Sequence, residues 1–160
     1  MIILVMGPTG SGKTTIGSLL AQQLGWMFAD GDSFHSAANI QKMSNGIPLT
    51  DADRLPWLKS IHDAMVRWIS ERQSVVLACS ALKRIYRDEL YHGPEVAVVY
   101  LKGSYELIAR RIEARHGHFA GESILADQFA ILEEPEDAIV IDVSGTPADI
   151  VAEIRRRIGK

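Results

Sequence analysis

The chain has a single cysteine, Cys79, in 160 residues, which excludes an intrachain disulfide, and nothing points to an oxidising compartment. Cys79 ends an apolar run and reads as a buried small hydrophobe rather than a nucleophile. Positive charge is not in excess: Lys plus Arg number 17 against 20 Asp plus Glu, a net −3, so there is no general electrostatic footprint for nucleic acid. No stretch reaches about 18 consecutive apolar residues, the length of a membrane-spanning helix. The N-terminal apolar stretch has no basic leader and stops at Gly7, unlike a secretory signal. The expectation is a cytoplasmic protein with neither nucleic-acid nor membrane partners. Repeats, linkers and low-complexity segments are also missing, so residues 1–160 read as one domain, large enough to bury about 70% of the surface that its unfolded form exposes.

What is present is organised around residues 7–14, Gly-Pro-Thr-Gly-Ser-Gly-Lys-Thr, which satisfy G-x-x-x-x-G-K-[ST] at every fixed position. Such a loop holds phosphate. Gly7 and Gly12 can adopt backbone angles closed to other residues, so successive N–H groups turn inward as an anion nest. Lys13 adds a point charge for the outer phosphates, and Thr14 offers a hydroxyl to Mg²⁺ at a helix start whose dipole favours the same anion. The flanks agree. Met1–Met6 is a short β-branched run of the buried parallel-strand kind, and Ile16, Leu19, Leu20 and Leu24 recur at helical spacing.

Further β-then-α units follow. A second strand, Trp26–Ala29, leads into Asp30-Gly31-Asp32 and Ser33-Phe34-His35. In an open parallel sheet ligands bind beyond the carboxyl ends of strands, and strand alternation puts Asp30 and Asp32 on one side. The competing reading is a polar turn in which Asp32 caps the next helix. After a short helical stretch and a turn at Ser44–Pro48, Thr50-Asp51-Ala52-Asp53 matches a capping box. It opens a long amphipathic helix whose tryptophans read as core. Arg54 stands against the helix dipole, so either an acidic ligand or solvent holds it. Ser74–Cys79 is a third strand, followed by Ser80, Lys83, Arg84 and Arg87, which form either a clamp for a second ligand or a solvated basic face.

The fourth strand spans Glu95–Leu101, and the helix Tyr105–Arg115 carries Arg110, Arg111 and Arg115 just before His116-Gly117-His118-Phe119. This pattern suits a lid that brings guanidinium groups over phosphates, although arginine at a helix C-terminus is also ordinary dipole chemistry. A helical stretch near Ser123–Leu132 precedes the fifth strand, Ala138–Asp142. Asp142 competes with Asp30 as the magnesium-positioning carboxylate. Asn-Lys-x-Asp, the guanine-reading partner of a GTPase switch, is absent from the chain. The turn Ser144–Pro147 is the one place the sequence suggests for adenine. Five such units in series imply a parallel sheet with helices on both faces.

These residues resemble the gluconokinases, a branch of the P-loop small-molecule kinases. The resemblance rests on Gly7–Thr14, Asp30-Gly31-Asp32-x-x-His35, Asn39-Ile40-x-Lys42-Met43-x-x-Gly46-x-Pro48-Leu49 and Asp51-x-Asp53-Arg54-x-Pro56-Trp57-Leu58. It continues through Cys79–Lys83 with Tyr86-Arg87-Asp88, Tyr100–Gly103, Arg115-x-Gly117-His118-Phe119 and Gln128-Phe129-x-x-Leu132-Glu133. The chain departs from the pattern at Pro8-Thr9, at Ala120-Gly121 and at Asp127. Ser80-Ala81-Leu82 stands where a shikimate kinase would have three glycines, which argues against shikimate as acceptor. A nucleotide-dependent switch, the remaining alternative, would leave the lid arginines without a purpose.

The resemblance implies an α/β P-loop kinase: a three-layer sandwich around a five-stranded parallel sheet, with a small helical lid at about residues 111–130. It implies transfer of the ATP γ-phosphoryl group to the terminal hydroxyl of gluconate, with Mg²⁺ as cofactor and, by analogy, a homodimer. Gly7, Pro8, Thr9, Gly10, Ser11, Gly12, Lys13, Thr14 and Thr15 would hold the nucleotide, Thr14 and Asp30 the metal. Lys13, Asp32, Arg111 and Arg115 would be catalytic, with Asp32 taking the acceptor proton. Asp32, His35, Arg54, Ser80, Lys83, Arg87, His118 and Gln128 would bind gluconate, with His35, Arg54, Lys83 and Arg87 as the basic candidates for its carboxylate.

Overall fold

All five apolar runs become parallel strands in the computed structural model, which describes residues 1–116 and 122–160. They are β1 (Ile2–Met6), β2 (Met27–Asp30), β3 (Val75–Ala78), β4 (Val96–Lys102) and β5 (Ile139–Asp142), in the order β2-β3-β1-β4-β5. β1 lies at the centre, paired with β3 on one side and β4 on the other, which is why all five of its residues are buried.

Side-chain alternation divides β1 between two cores. Ile2, Leu4 and Met6 pack with Val75, Leu77, Trp57, Leu58, Ile61 and Met65 on one face. Ile3 and Val5 pack with Val76, Leu101, Ile16, Leu20, Val151 and Ile154 on the other. Each fully buried aliphatic side chain contributes about 1.5–3 kcal/mol relative to exposure, so a strand buried on both faces anchors the sheet. Helices α1 (Lys13–Leu24) and α7 (Pro147–Ile158) cover the second face, while α3 (Asp51–Ser70) and α4 (Arg84–Glu89) supply buried residues to the first. The short helix α2 (Ala37–Ser44) leads from the β2 edge to α3. The expected three-layer α/β sandwich is thus the observed fold, with strand ends within one residue of their expected places.

A third, smaller cluster stands apart from the sheet. Ile108 and Ile112 of α5 (Tyr105–His116) meet Leu125 of α6 (Glu122–Ile131), with Phe129 packed alongside. This helical pair lies where the sequence places a lid. Its tie to the phosphate loop is steric: a Cβ on Gly10 would stand 2.6 Å from Ile112.

The capping box at Thr50 forms as expected. Thr50 Oγ1 accepts from the Asp53 amide at 3.1 Å, and Asp53 Oδ2 accepts from the Thr50 amide at 2.9 Å. A cap of this kind is worth about 1 kcal/mol, and it fixes the first turn of α3, which carries Arg54. Among the described residues, no helix is long and apolar enough to cross a membrane.

Candidate active site

The loop after β1 is built to receive an anion. Gly7, Gly10 and Gly12 carry φ angles of 153°, 77° and 98°, a region that side-chain-bearing residues rarely adopt. Helix α1 begins from Gly12 with no capping side chain and no acidic residue in its first turn, leaving its amides open. Ser11 Oγ, in a residue only 1% exposed, has no partner among the described residues. A loop with unmet donors is short of acceptors, and a polyphosphate supplies them. Lys13 Nζ donates to the Pro8 carbonyl at 2.9 Å. Burial lowers the pKa of that ammonium, while the nearby carboxylates of Asp32 and Asp30 oppose the shift.

The acidic pair sits beside this lysine. β2 ends at Asp30, so strand alternation does not extend to Asp32, which lies in the 3₁₀ turn Gly31–Phe34. Asp30 caps that turn, its Oδ1 accepting from the Asp32 amide at 3.0 Å, while Oδ2 accepts from the Thr14 hydroxyl at 3.1 Å. The reading of Asp32 as a cap is overturned: Ser36 caps α2, accepting from the Asn39 amide. Glycine between the two acids has a spatial cause, because a Cβ on Gly31 would stand 2.8 Å from the Ala78 carbonyl of the neighbouring strand. Asp32 is an exposed residue, yet crowding of its carboxyl raises its pKa; Lys13 pulls it back and Asp30 adds to the rise.

Thr14 and Asp30 offer adjacent hard oxygen donors, a chemistry that fits Mg²⁺, an ion that takes one or two protein ligands and fills its shell with water and phosphate. Consistent with such a sparse site, no cluster of three or more His, Cys, Asp or Glu suited to a metal occurs among the described residues. Asp142 is engaged elsewhere: its Oδ1 accepts from the Ser144 amide at 2.7 Å in the turn before α7.

One cavity borders the loop and a second is joined to it through Gln128. The first, about 470 Å³, is lined by Gly10, Ser11, Gly12 and Thr15, by Arg111 and Arg115 of α5, and by Gly145, Pro147 and Ile150. It therefore joins the loop, the two expected lid arginines and the turn suggested for adenine. Arg110 is turned to its own helix, donating to the Glu106 carbonyl.

The second, about 330 Å³, is lined among others by Asp51, Arg54, Lys83, Tyr86, Asp127 and Gln128. Arg54 is only 8% exposed, which overturns the solvated alternative. Its Nη1 donates to the Leu49 carbonyl at 2.6 Å and to the Tyr86 hydroxyl at 3.1 Å. Lys83, by contrast, is paired with Asp51 at 3.1 Å. The Asp51 carboxyl is lowered by the Tyr86 hydroxyl it accepts from and then by Lys83. Asp127 is exposed and screened, and Arg54 is the buried cation of this cavity. Gln128 connects the cavity to the phosphate loop, its Oε1 accepting from the Thr9 amide at 2.6 Å.

The other expected substrate residues are distributed differently. Of Lys83, Arg84 and Arg87, only the last two come together: both line a separate cavity, away from Lys83, and Arg87 donates to the carbonyls of Ala81, Leu82 and Glu133. The Ser80 carbonyl accepts from the Gly7 amide at 3.4 Å, behind the loop. His35 is not a cation at neutral pH: burial and then the Arg54 charge lower its pKa to about 4. His118 lies outside the described residues. Cys79 is buried and its thiol is pushed up to about 12, by burial first and then by Asp32, so it stays protonated. Asp51 and Tyr86 were missed as site residues. Both fall within the family-like blocks, and Asp51 also within the capping-box pattern, but no local pattern assigns either to a site.

A phosphate loop at the carboxyl edge of a 2-3-1-4-5 parallel sheet, with a second cavity beside it and helices arched over both, is the arrangement of the P-loop small-molecule kinases. The family profile for shikimate kinase matches residues 9–158. A probable gluconokinase of Rattus norvegicus is 45% identical, covering 96% of this chain and 95% of the relative. Among solved structures, a gluconokinase from Sinorhizobium meliloti is 40% identical with a TM-score of 0.83, covering 98% of this chain and 94% of that one. A sugar kinase from Janibacter is 42% identical with a TM-score of 0.90, covering 99% and 94%. The shikimate kinase of Aquifex aeolicus, at 19% identity and a TM-score of 0.61 over 99% of this chain and 96% of that one, shares the fold alone. Within that fold, the chain belongs to the gluconokinase family.

The two carboxylates make separable claims on the metal. Asp30→Ala is expected to raise the magnesium concentration needed for half-maximal turnover about tenfold or more, and Asp142→Ala to leave it within about twofold. Magnesium titration of both variants at saturating ATP decides; the reverse ranking would move the metal to Asp142.

Proposed function

We propose that the chain phosphorylates the terminal hydroxyl of D-gluconate with ATP, giving 6-phosphogluconate and ADP. The observation that carries the reading is a phosphate loop whose Lys13 interacts with the charge of Asp32, joined through Gln128 to a second cavity lined by the buried Arg54. Gluconate is an anionic polyol. Arg54 suits its carboxylate, and Asp51, Tyr86, Lys83 and Gln128 suit its hydroxyls.

The loop amides and Lys13 hold the β- and γ-phosphates, while Thr14 and Asp30 hold Mg²⁺. When bound, Mg²⁺ neutralises charge on the phosphate oxygens. Asp32 orients the acceptor hydroxyl and takes its proton as that oxygen bonds to the γ-phosphorus and the bond to the ADP oxygen breaks. Because such transition states are usually loose, placement counts for more than base strength. Arg111 and Arg115 answer the charge that develops on the transferred group. Helices α5 and α6 act as the lid, and Gln128 signals its position through the Thr9 amide. Closure over both cavities would exclude the water that competes as acceptor. Gly145 and Pro147 border the space left for adenine.

An assay of ADP release against a panel of sugar acids, polyols and shikimate tests the assignment. Gluconate should drive turnover and shikimate should not; nucleotide binding without acceptor-dependent release in any arm would favour a switch. In Asp32→Ala, turnover should fall by at least about a hundredfold with ATP affinity within a few-fold, as read by calorimetry, and near-normal turnover would refute the role. Arg54→Ala should raise the gluconate KM about tenfold to a hundredfold, the worth of one hydrogen bond to a charged group, with little change in the KM for ATP. An unchanged gluconate KM would remove Arg54 from the site.

A further inference from the structure

His35 is held on one face and one edge. Its ring stacks on Trp57 with centroids 4.1 Å apart and planes 13° from parallel. Trp57 is itself pinned, its Nε1 donating to the Gly31 carbonyl at 2.7 Å. On the edge, the side-chain nitrogen Nδ2 of Asn39 approaches His35 Nδ1 at 3.3 Å. Asn39 is 6% exposed and sits four residues after His35, one turn into α2.

The orientation of the Asn39 amide follows from its second contact. The same Nδ2 donates to the Asp53 carbonyl at 2.9 Å. A carbonyl oxygen can only accept, so turning the amide over would set Oδ1 against it, oxygen to oxygen. The atom facing His35 Nδ1 is therefore an N–H donor, and Nδ1 must present its lone pair. The imidazole proton then resides on Nε2. A second ring proton would press N–H against N–H2, in the same sense as burial and the Arg54 charge, which already keep the ring neutral. Asp53 is fixed in turn by the Thr50 cap and by Lys42, whose Nζ stands 3.0 Å from Asp53 Oδ2.

We infer that Asn39 is a positioning residue that locks His35 as the neutral Nε2–H tautomer, making it a one-proton donor for a hydroxyl oxygen of the acceptor substrate. The inference rests on the kinase reading for the identity of that acceptor, but not for the tautomer. A neutral donor suits a hydroxyl: it can report the presence and position of an oxygen without competing with Arg54 for the carboxylate. Its direction is set by the lone pair that Asn39 demands at the opposite nitrogen. A site that reads a substrate hydroxyl this way discriminates against analogues that lack it, because its own donor is then left unpaired.

The tautomer is measurable on the full chain without substrate. Long-range proton–nitrogen correlation spectra of ¹⁵N-labelled protein, with His35 identified by the signals lost in His35→Gln, should show a bare Nδ1 and a protonated Nε2 at pH 7. The ring should titrate near pH 4. Proton on Nδ1, or titration near the ordinary value of about 6.5, overturns the inference. In Asn39→Asp, a carboxylate replaces the donor, so the proton should move to Nδ1 and the titration midpoint should rise above 6.5. The gluconate KM should rise about threefold to tenfold, with the KM for ATP within twofold. A tautomer that switches with no change in gluconate KM overturns the substrate half of the claim. If Asn39→Asp does not fold, the wild-type spectrum still decides the tautomer. Failure of the kinase reading itself shows separately, as wild-type protein on which gluconate has no effect.

Discussion

Main-chain amides held open at the carboxyl end of β1 are the feature on which the rest of the molecule depends. Those amides can stay unpaired by other protein groups only if the loop that carries them cannot collapse. Three glycines at positive φ set its shape, and β1, buried on both faces between β3 and β4, gives it a rigid base. An anion-binding nest is useful in proportion to how little it must reorganise when the anion arrives. The two cores below the loop therefore serve the chemistry as well as stability.

Around that fixed point the acids and bases are sorted by desolvation rather than by count. Four cationic side chains looked equivalent as partners for an acidic substrate: His35, Arg54, Lys83 and Arg87. Burial removes the charge from His35, Asp51 answers the charge of Lys83, and backbone carbonyls occupy Arg87. Arg54 remains, buried against Tyr86 and bonded through one nitrogen. The same logic separates Asp30, bonded to Thr14, from Asp142, bonded to its own turn. Pairs of like residues receive different tasks because their surroundings differ.

Of the departures from family-like sequence, Ala120-Gly121 lies outside the described residues and the others fall in two structural regions. Pro8 and Thr9 lie in the nest, where backbone groups do the binding; the Pro8 carbonyl receives Lys13 and the Thr9 amide reaches Gln128. Asp127 lies beside Gln128 on the second cavity, adding an exposed carboxylate there. The change at Asp127 thus alters the wall of the second cavity, whereas those at Pro8 and Thr9 keep main-chain groups in the loop's hydrogen bonds.

Taken alone, the sequence determined the five strands, the phosphate loop and its helix, the cap at Thr50 and the family, because each is written in local spacing: period two or period three to four, or a motif of adjacent residues. It also singled out Asp30, Asp32, Arg54, Arg111, Arg115 and Gln128 as residues for the site. Tertiary structure alone decided which of them meet. Strand alternation could not reveal that β2 stops at Asp30, since the close passage of Gly31 by the Ala78 carbonyl is a contact between the turn after β2 and the neighbouring strand β3. Nor could it show Asp51 and Tyr86 joined across 35 positions, or Asn39 dictating the proton of His35 through a carbonyl of α3. Burial and hydrogen-bond direction are properties of the packed chain, and they fix charge and tautomer where residue identity leaves both open.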